Sequence, residues 1–296
     1  MSKGLKIKNP FRSHAGEYMN RSKAGTFGIV VFLSLLSAFL ILPFLYSIFQ
    51  SLKPIDEIFA FPPRFFVKNP TGENYRALFM LTENLWIPFS RYVFNSVFVS
   101  VVGTAVYVFI ASMAAYPLAI GRFRGAKPIN EIIVQALLFS SPVLAVVQYL
   151  IIAKTGMLNT YWAMILPILA APLGLFLMRQ FMIQMIPMSL IEAAKIDGAG
   201  TFMIFWRIVM PNVKPAWLTL IIFTFQPIWA GAGAIYIYDE AHKVLPTVLG
   251  QIAAGGLARA GVGAAAAVVL MAPPILLFLF TQSKVLETMA ASGIKE

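Results

Sequence analysis

The sequence predicts an all-α membrane protein with six transmembrane helices. Three observations predict it. Of 296 residues, 59% are hydrophobic and only 12% are charged, whereas a soluble domain carries charge on about a quarter of its residues. Six apolar runs each reach the roughly 20 residues that cross a bilayer. Most of the 23 Lys and Arg residues gather in alternate connecting segments, the pattern that marks cytoplasmic loops. The net charge of +11 therefore reads as an orientation signal in lipid. No basic stretch interleaves with aromatics in the manner that stacks bases, so no nucleic acid is expected as a partner.

The elements follow in order. Residues 1–24 form a basic tail holding Lys3, Lys6, Lys8, Arg12, Arg21 and Lys23. The alternation places it in the cytoplasm. The first span, 25–52, is longer than the 7–15 residues of a signal-peptide core and reads as an uncleaved helix. An outer loop, 53–90, carries Pro54, Pro62, Pro63 and Pro70 among Phe59, Phe61, Phe65, Phe66 and Tyr75. That composition suits packing on the outer surface, either as a lid or as a docking surface for an extracellular partner.

A core domain, 91–284, holds the remaining spans at 92–120, 131–153, 161–182, 216–236 and 261–283. Gly231 and Gly233 are expected inside the fifth span, and Gly261 and Gly263 at the start of the sixth, where small residues let helices approach. Pro227 and the pair Pro273–Pro274 are expected to bend or break their helices. Residues 285–296 form a second cytoplasmic tail.

Several chemistries are absent. There is no cysteine, hence no disulfide, thiolate or Cys-based metal site. His14 and His242 lie outside the apolar runs. No His-Glu-x-x-His motif, phosphate-binding Gly-rich loop or Gly-x-Ser-x-Gly elbow occurs. No Asp, Glu or Lys sits mid-span to relay protons. The chain is expected to be a conduit with no catalytic residue, no metal site, no cofactor and no ATP site of its own.

The segment 187–211, between spans four and five, is the polar exception on the cytoplasmic side. Ser189 and Glu192 have the spacing of a capping box, and the helix they open should stop near Asp197 at Gly198, which suits a left-handed cap. Leu190, Ala194 and Gly198 fall four apart and share one flat face on that reading. A second short helix, 202–210, is expected to end at Pro211 and to pack on the bundle through Phe202, Phe205 and Trp206.

Glu192-Ala193-Ala194, then Gly198, then Ile208, then Met210-Pro211 resembles the loop pattern of membrane subunits of type I ATP-binding cassette (ABC) importers. Met210 in place of the pattern's Leu keeps apolar volume. Pro43-Phe44-Leu45-Tyr46-Ser47, Ala114-Ala115-Tyr116-Pro117-Leu118 and the ending Ser292-Gly293-Ile294-Lys295-Glu296 are similar to the carbohydrate-uptake branch, typified by the maltose permease subunit MalG.

The resemblance implies the type I importer permease fold, with a cytoplasmic coupling helix between helices four and five. Glu192, Ala193, Ala194, Asp197, Gly198 and Pro211 would couple to an ATPase subunit. The tail residues Ser292, Gly293, Ile294, Lys295 and Glu296 would reach between two such subunits, which hold the ATP and Mg. It also implies a second, different permease, an extracellular or periplasmic sugar-binding protein, and residence in a prokaryotic cytoplasmic membrane.

By placement, Asn95, Gln148, Gln226 and Trp229 are the expected substrate-pathway residues, since sugars are held by amides and aromatic faces. A non-sugar solute such as glycerol phosphate or an amino acid is the alternative cargo. A membrane scaffold without transport is the alternative class.

Overall fold

The computed structural model describes residues 23–83, 85–121, 123–138 and 141–292. Among them every regular element is a helix. It divides into two units, the first ending at Ser47 and the second starting at Ile48. The first unit is the body of α1 (Lys23–Leu52). Phe27, Phe32, Leu35 and Phe39 stand exposed along it, as a helix that meets hydrocarbon requires.

The second unit opens with the last turn of α1 and a folded loop. Here α2 (Ile55–Ile58) and α3 (Glu73–Glu83) are set by buried polar groups. Glu57 accepts the amides of Lys68 (2.7 Å) and Asn69 (3.2 Å). Lys53, 1% exposed, donates to the Arg64 carbonyl. Asn74 donates to the carbonyls of Ser51 (2.9 Å) and Lys53 (2.7 Å). Phe49, Phe65 and Phe66 close on one another at centroid separations of 5.2–5.8 Å. The expectation of a packed loop agrees with this. Burial works against charge on Glu57, but its two amide hydrogen bonds and the nearby Lys53 and Arg64 prevail and hold the carboxyl below its ordinary value.

The body of the unit is built on α4 (Phe89–Ile120). After it come α5 (Ala126–Ala136), α6 (Ser141–Lys154), α7 (Tyr161–Leu169) and α8 (Pro172–Met185). Next are α9 (Met188–Ile196), α10 (Thr201–Met203), a π-helical turn over Ile204–Val209, α11 (Met210–Asn212) and α12 (Lys214–Trp229). The chain closes with α13 (Leu245–Ala253) and α14 (Ala260–Ser292).

Three helices are long and apolar enough to cross a membrane singly: Ala24–Leu52, Phe89–Ile120 and Ala260–Gln282. The pair α7–α8, bent by 44°, and the pair Thr201–Asn212 with α12, bent by 78°, raise the number to five. The expected third span, 131–153, is not one helix: α5 ends at Ala136 and α6 begins at Ser141.

Two further expectations are corrected. Gly231 and Gly233 do not lie inside the fifth helix, which ends at Trp229. Both have positive φ (93° and 85°), a conformation glycine adopts without steric cost, and they turn the chain away. A Cβ on Gly233 would meet Met164 Cα at 3.0 Å, so the turn also packs tightly on α7. Pro273 and Pro274 do not break α14, and Pro227 does not break α12, which runs on to Trp229. Proline fixes φ near the helical value but removes a donor; the Leu270 carbonyl that Pro274 leaves open accepts instead from Trp229 Nε1 at 2.9 Å, and the helix continues.

One hydrophobic cluster joins Tyr107 of α4, Met178 and Met182 of α8, Ile191 of α9, and Phe205, Val209 and Val213 beyond it. A second, holding Tyr92, Trp229, Leu249 and Val262, ties α4, α12, α13 and α14.

Candidate functional site

Two features stand out: helix α9 and a cavity beside the α7–α8 break. Helix α9 begins two residues earlier than a capping box requires. Pro187 is its N-cap, and no side chain caps it. Ser189 is therefore already inside the first turn, where its hydroxyl cannot serve as an N-cap acceptor. The capping box is not formed.

The C-terminus is as expected. Gly198 has φ +78°, its amide bonds the Lys195 carbonyl at 3.1 Å, and the Ala199 amide bonds the Ala194 carbonyl at 2.9 Å. That bond pair with a left-handed residue is a Schellman stop.

The faces of α9 differ from the expected one. Ile191 (0% exposed) and Ala194 (7%) point into the main hydrophobic cluster. Glu192, Ala193, Lys195 and Asp197 lie outside, with Ile196 86% exposed. Leu190, Ala194 and Gly198 thus do not form one open face, because Ala194 is turned inward. Burying Ile191 contributes roughly 2–3 kcal/mol and roots the helix.

The following segment is also corrected. Phe205 is buried, but Phe202 (67%) and Trp206 (53%) are exposed. Pro211 does not end the helix, which runs on to Asn212. Proline cannot donate to residue 207 and crowds its carbonyl; the wider π turn just before it makes room. Trp217 Nε1 donates to the Met210 carbonyl (3.2 Å) and Asn212 to Ile208 (2.7 Å), bracing the 78° elbow.

The cavity has a volume of about 340 Å³ and lies between α4, α6, the α7–α8 break, α12 and the turn after it. Tyr107 fastens the break. Its hydroxyl donates to the Ala171 carbonyl (2.7 Å) and accepts from the Gly174 amide (2.8 Å). A Cβ on Gly174 would fall 2.5 Å from that hydroxyl, so only glycine admits the contact. Gln148, Thr224 and Tyr236 supply polar side chains to the wall; Met164, Pro167, Phe223 and Pro227 supply apolar surface.

Of the four expected pathway residues, Gln148 alone lines this cavity. Asn95 is 0% exposed and clamps the loop before α13. It donates to the carbonyls of Ala241 (2.9 Å) and Lys243 (2.8 Å) and accepts from Tyr161 (2.7 Å). Trp229 is buried, donates to the Leu270 carbonyl (2.9 Å) and stacks on Phe225 at 5.8 Å. Its work is packing α12 on α14. Gln226 is exposed and away from the cavity wall. Tyr107, Thr224 and Tyr236 were not singled out in the sequence. The signal for Thr224 was available, as a hydroxyl three residues before Pro227 in an apolar run.

The clamped loop carries its own polar network. Tyr92 donates to Glu240 (3.2 Å), Glu240 pairs with Lys243, and His242 meets Asp239 at 2.8 Å. The His242 hydrogen bond, with the Ala241 amide, holds the Asp239 carboxyl below its ordinary value. Among the described residues no group of three or more His, Cys, Asp or Glu could hold a metal ion. Of the expected tail contacts, Ser292 ends α14, while Gly293, Ile294, Lys295 and Glu296 lie outside the described residues, as does most of the basic tail 1–24.

Residues 15–288 match the family described as "Binding-protein-dependent transport system inner membrane component". Protein LplC of Bacillus subtilis is 35% identical over 244 residues, covering 79% of this chain and 78% of its own. The polygalacturonan/rhamnogalacturonan transport system permease protein YtcP of the same organism is 32% identical over 226 residues, 75% of each chain. A crystal structure of a bacterial ABC transporter that imports the acidic polysaccharide alginate matches in fold. Its TM-score is 0.74 at 22% identity, covering 89% of this chain and 98% of that one.

Proposed function

Because this chain belongs to the family of binding-protein-dependent transport system inner membrane components, we propose that it carries a sugar or oligosaccharide and is driven through α9. It is the permease subunit of a binding-protein-dependent ABC importer, an all-helical multi-pass protein of the bacterial inner membrane, and it is not the ATPase. The cargo rests on its relatives: YtcP is a polygalacturonan/rhamnogalacturonan permease and the fold neighbour imports alginate. No specific observation favours glycerol phosphate, an amino acid or a scaffold role.

In this reading six crossings are α1, α4, α5 with α6, α7 with α8, α12 and α14, with both termini in the cytoplasm. Helix α9 is the coupling helix and seats in one of two ATPase subunits, which hold ATP and Mg; this chain binds no cofactor. A second, different permease completes the path, and a periplasmic sugar-binding protein delivers cargo. Ser292–Glu296 reaches toward the ATPase pair.

The observation that carries the reading is mechanical. Helix α9 offers Glu192, Ala193 and Lys195 outward while Ile191 and Ala194 lock into the cluster that holds Tyr107. Tyr107 in turn fastens the α7–α8 break. Well-packed interiors transmit displacement rather than absorb it, so a push on α9 reaches the cavity as a rigid-body motion. Glu192→Ala tests this in the reconstituted complex. The variant is expected to assemble in the membrane and to lose ATP-driven uptake. Full uptake with ATPase subunits still bound would remove α9 from the coupling role.

A further inference from the structure

We propose that the cavity at the α7–α8 break seats one uncharged, hydroxyl-rich sugar unit, held by Gln148, Thr224 and Tyr236. The proposal rests on the sugar-importer reading and adds to it which chain holds the cargo and what charge that unit carries.

Three residues with uncommitted polar groups line an otherwise largely apolar wall. The Tyr107 hydroxyl is occupied on both sides by Ala171 and Gly174. By contrast, the Gln148 amide, the Thr224 hydroxyl and the Tyr236 hydroxyl have no hydrogen-bond partner among the described residues, and none of their polar atoms is sealed from solvent-sized space. Yet Thr224 and Tyr236 are each only 4% exposed. A threonine inside a helix ordinarily returns its hydroxyl to the carbonyl one turn back, as Ser112 and Thr281 do here. Thr224 does not. Pro227 adds an acceptor, since it has no N–H for the carbonyl of Phe223 one turn back.

The donor set fits a sugar. An amide offers two donors and an acceptor, and the hydroxyls serve as either. Such groups pair with vicinal hydroxyls, while Tyr236 and Phe223 give apolar surface to a ring face. The Tyr236 ring is held in place by Tyr149, centroid to centroid 6.3 Å, whose own hydroxyl meets that of Tyr238 at 3.0 Å. The volume of about 340 Å³ lies at the lower end of small-ligand pockets.

Charge is decided by what the wall lacks. Among the described residues no Lys, Arg, Asp or Glu lines the cavity. A carboxylate brought there would lose its hydration without gaining a counter-charge, which is costly in a membrane interior. A neutral sugar meets no such barrier.

The test uses the complete complex in liposomes: both permeases, the ATPase pair and the binding protein. Uptake is measured for neutral oligosaccharides and for all-uronate oligosaccharides of equal length. Gln148→Leu, Thr224→Val and Tyr236→Phe each change one polar group at nearly constant volume, and assembly is checked by size-exclusion chromatography. Each is expected to lower uptake of the neutral cargo about fivefold to tenfold, the effect of one lost hydrogen bond. Gln148→Arg is expected to raise uronate uptake relative to neutral.

Wild-type uptake in all three assembled variants overturns the proposal, as does wild-type protein that moves the uronate series as fast as the neutral one. If the wild-type complex moves no sugar at all but couples ATP to another solute, the sugar-importer reading falls and this proposal with it. That outcome is distinct from intact sugar transport with silent variants.

Discussion

Asn95→Leu separates a structural clamp from a pathway residue. The side chain is fully buried and makes three hydrogen bonds, at 2.9, 2.8 and 2.7 Å. Leucine is close in volume, so little cavity forms and the loss is polar. Each bond contributes about 1 kcal/mol net, giving a total near 3 kcal/mol. At about 2–4 °C per kcal/mol, the melting temperature of the purified complex should fall by about 6–12 °C.

The assay is fluorescence-detected size-exclusion chromatography after a heat ramp in mild detergent, with proteolysis to report on the loop around residue 241. Uptake per assembled complex at low temperature should stay near wild type. A variant with unchanged melting temperature but lost uptake would refute this reasoning and return Asn95 to the substrate path.

Three further outcomes follow from the same geometry. Tyr107→Phe removes both bonds at the α7–α8 break, about 2 kcal/mol, and should increase hydrogen exchange at Gly174 before it affects distant helices. Gly198→Val adds no clash, since nothing lies within 4 Å of its Cβ position. It does force a β-branched residue to φ +78°, costing about 1–3 kcal/mol, so ATPase docking should weaken while Gly198→Asn is milder; equal effects would discount the left-handed stop.

Glu57 gives a pH dependence. Its folded-state value lies below the ordinary 4.5, so its stabilising contribution is complete above that value and is lost as pH falls through the lower folded one. Protease cutting within residues 53–72 should therefore rise in acid below about pH 4.5, and the rise should be absent in Glu57→Gln, which is open at every pH.

The spans at α1, α4 and α14 were legible in the sequence because length and composition alone define them. Direction was not. In a water-soluble helix the buried face is apolar and the other polar, so period reveals orientation. In lipid both faces are apolar. Val99 is 2% exposed and Val101 53%, yet the two are the same residue two positions apart. For that reason Asn95 and Trp229 could be taken for pathway residues.

The left-handed stop at Gly198 was legible because a backbone conformation, rather than a partner, selects glycine. The break at Ala170–Ala171 had a local sign in Pro172, but nothing in the sequence says that Tyr107, far away along the chain, would hold it.

The π turn over Ile204–Val209 sets a phase. A wide turn is equivalent to one residue added to an α-helix. Excising one residue there would let the segment relax to regular winding and rotate everything before it by about 100° relative to α12. Phe205 and Val209, now buried, would swing off the cluster, and α9 would face a new bearing although every one of its own residues was intact. The interval between Gly198 and Pro211 is thus a gear ratio: its length, independently of its composition, fixes which side of α9 is offered outward.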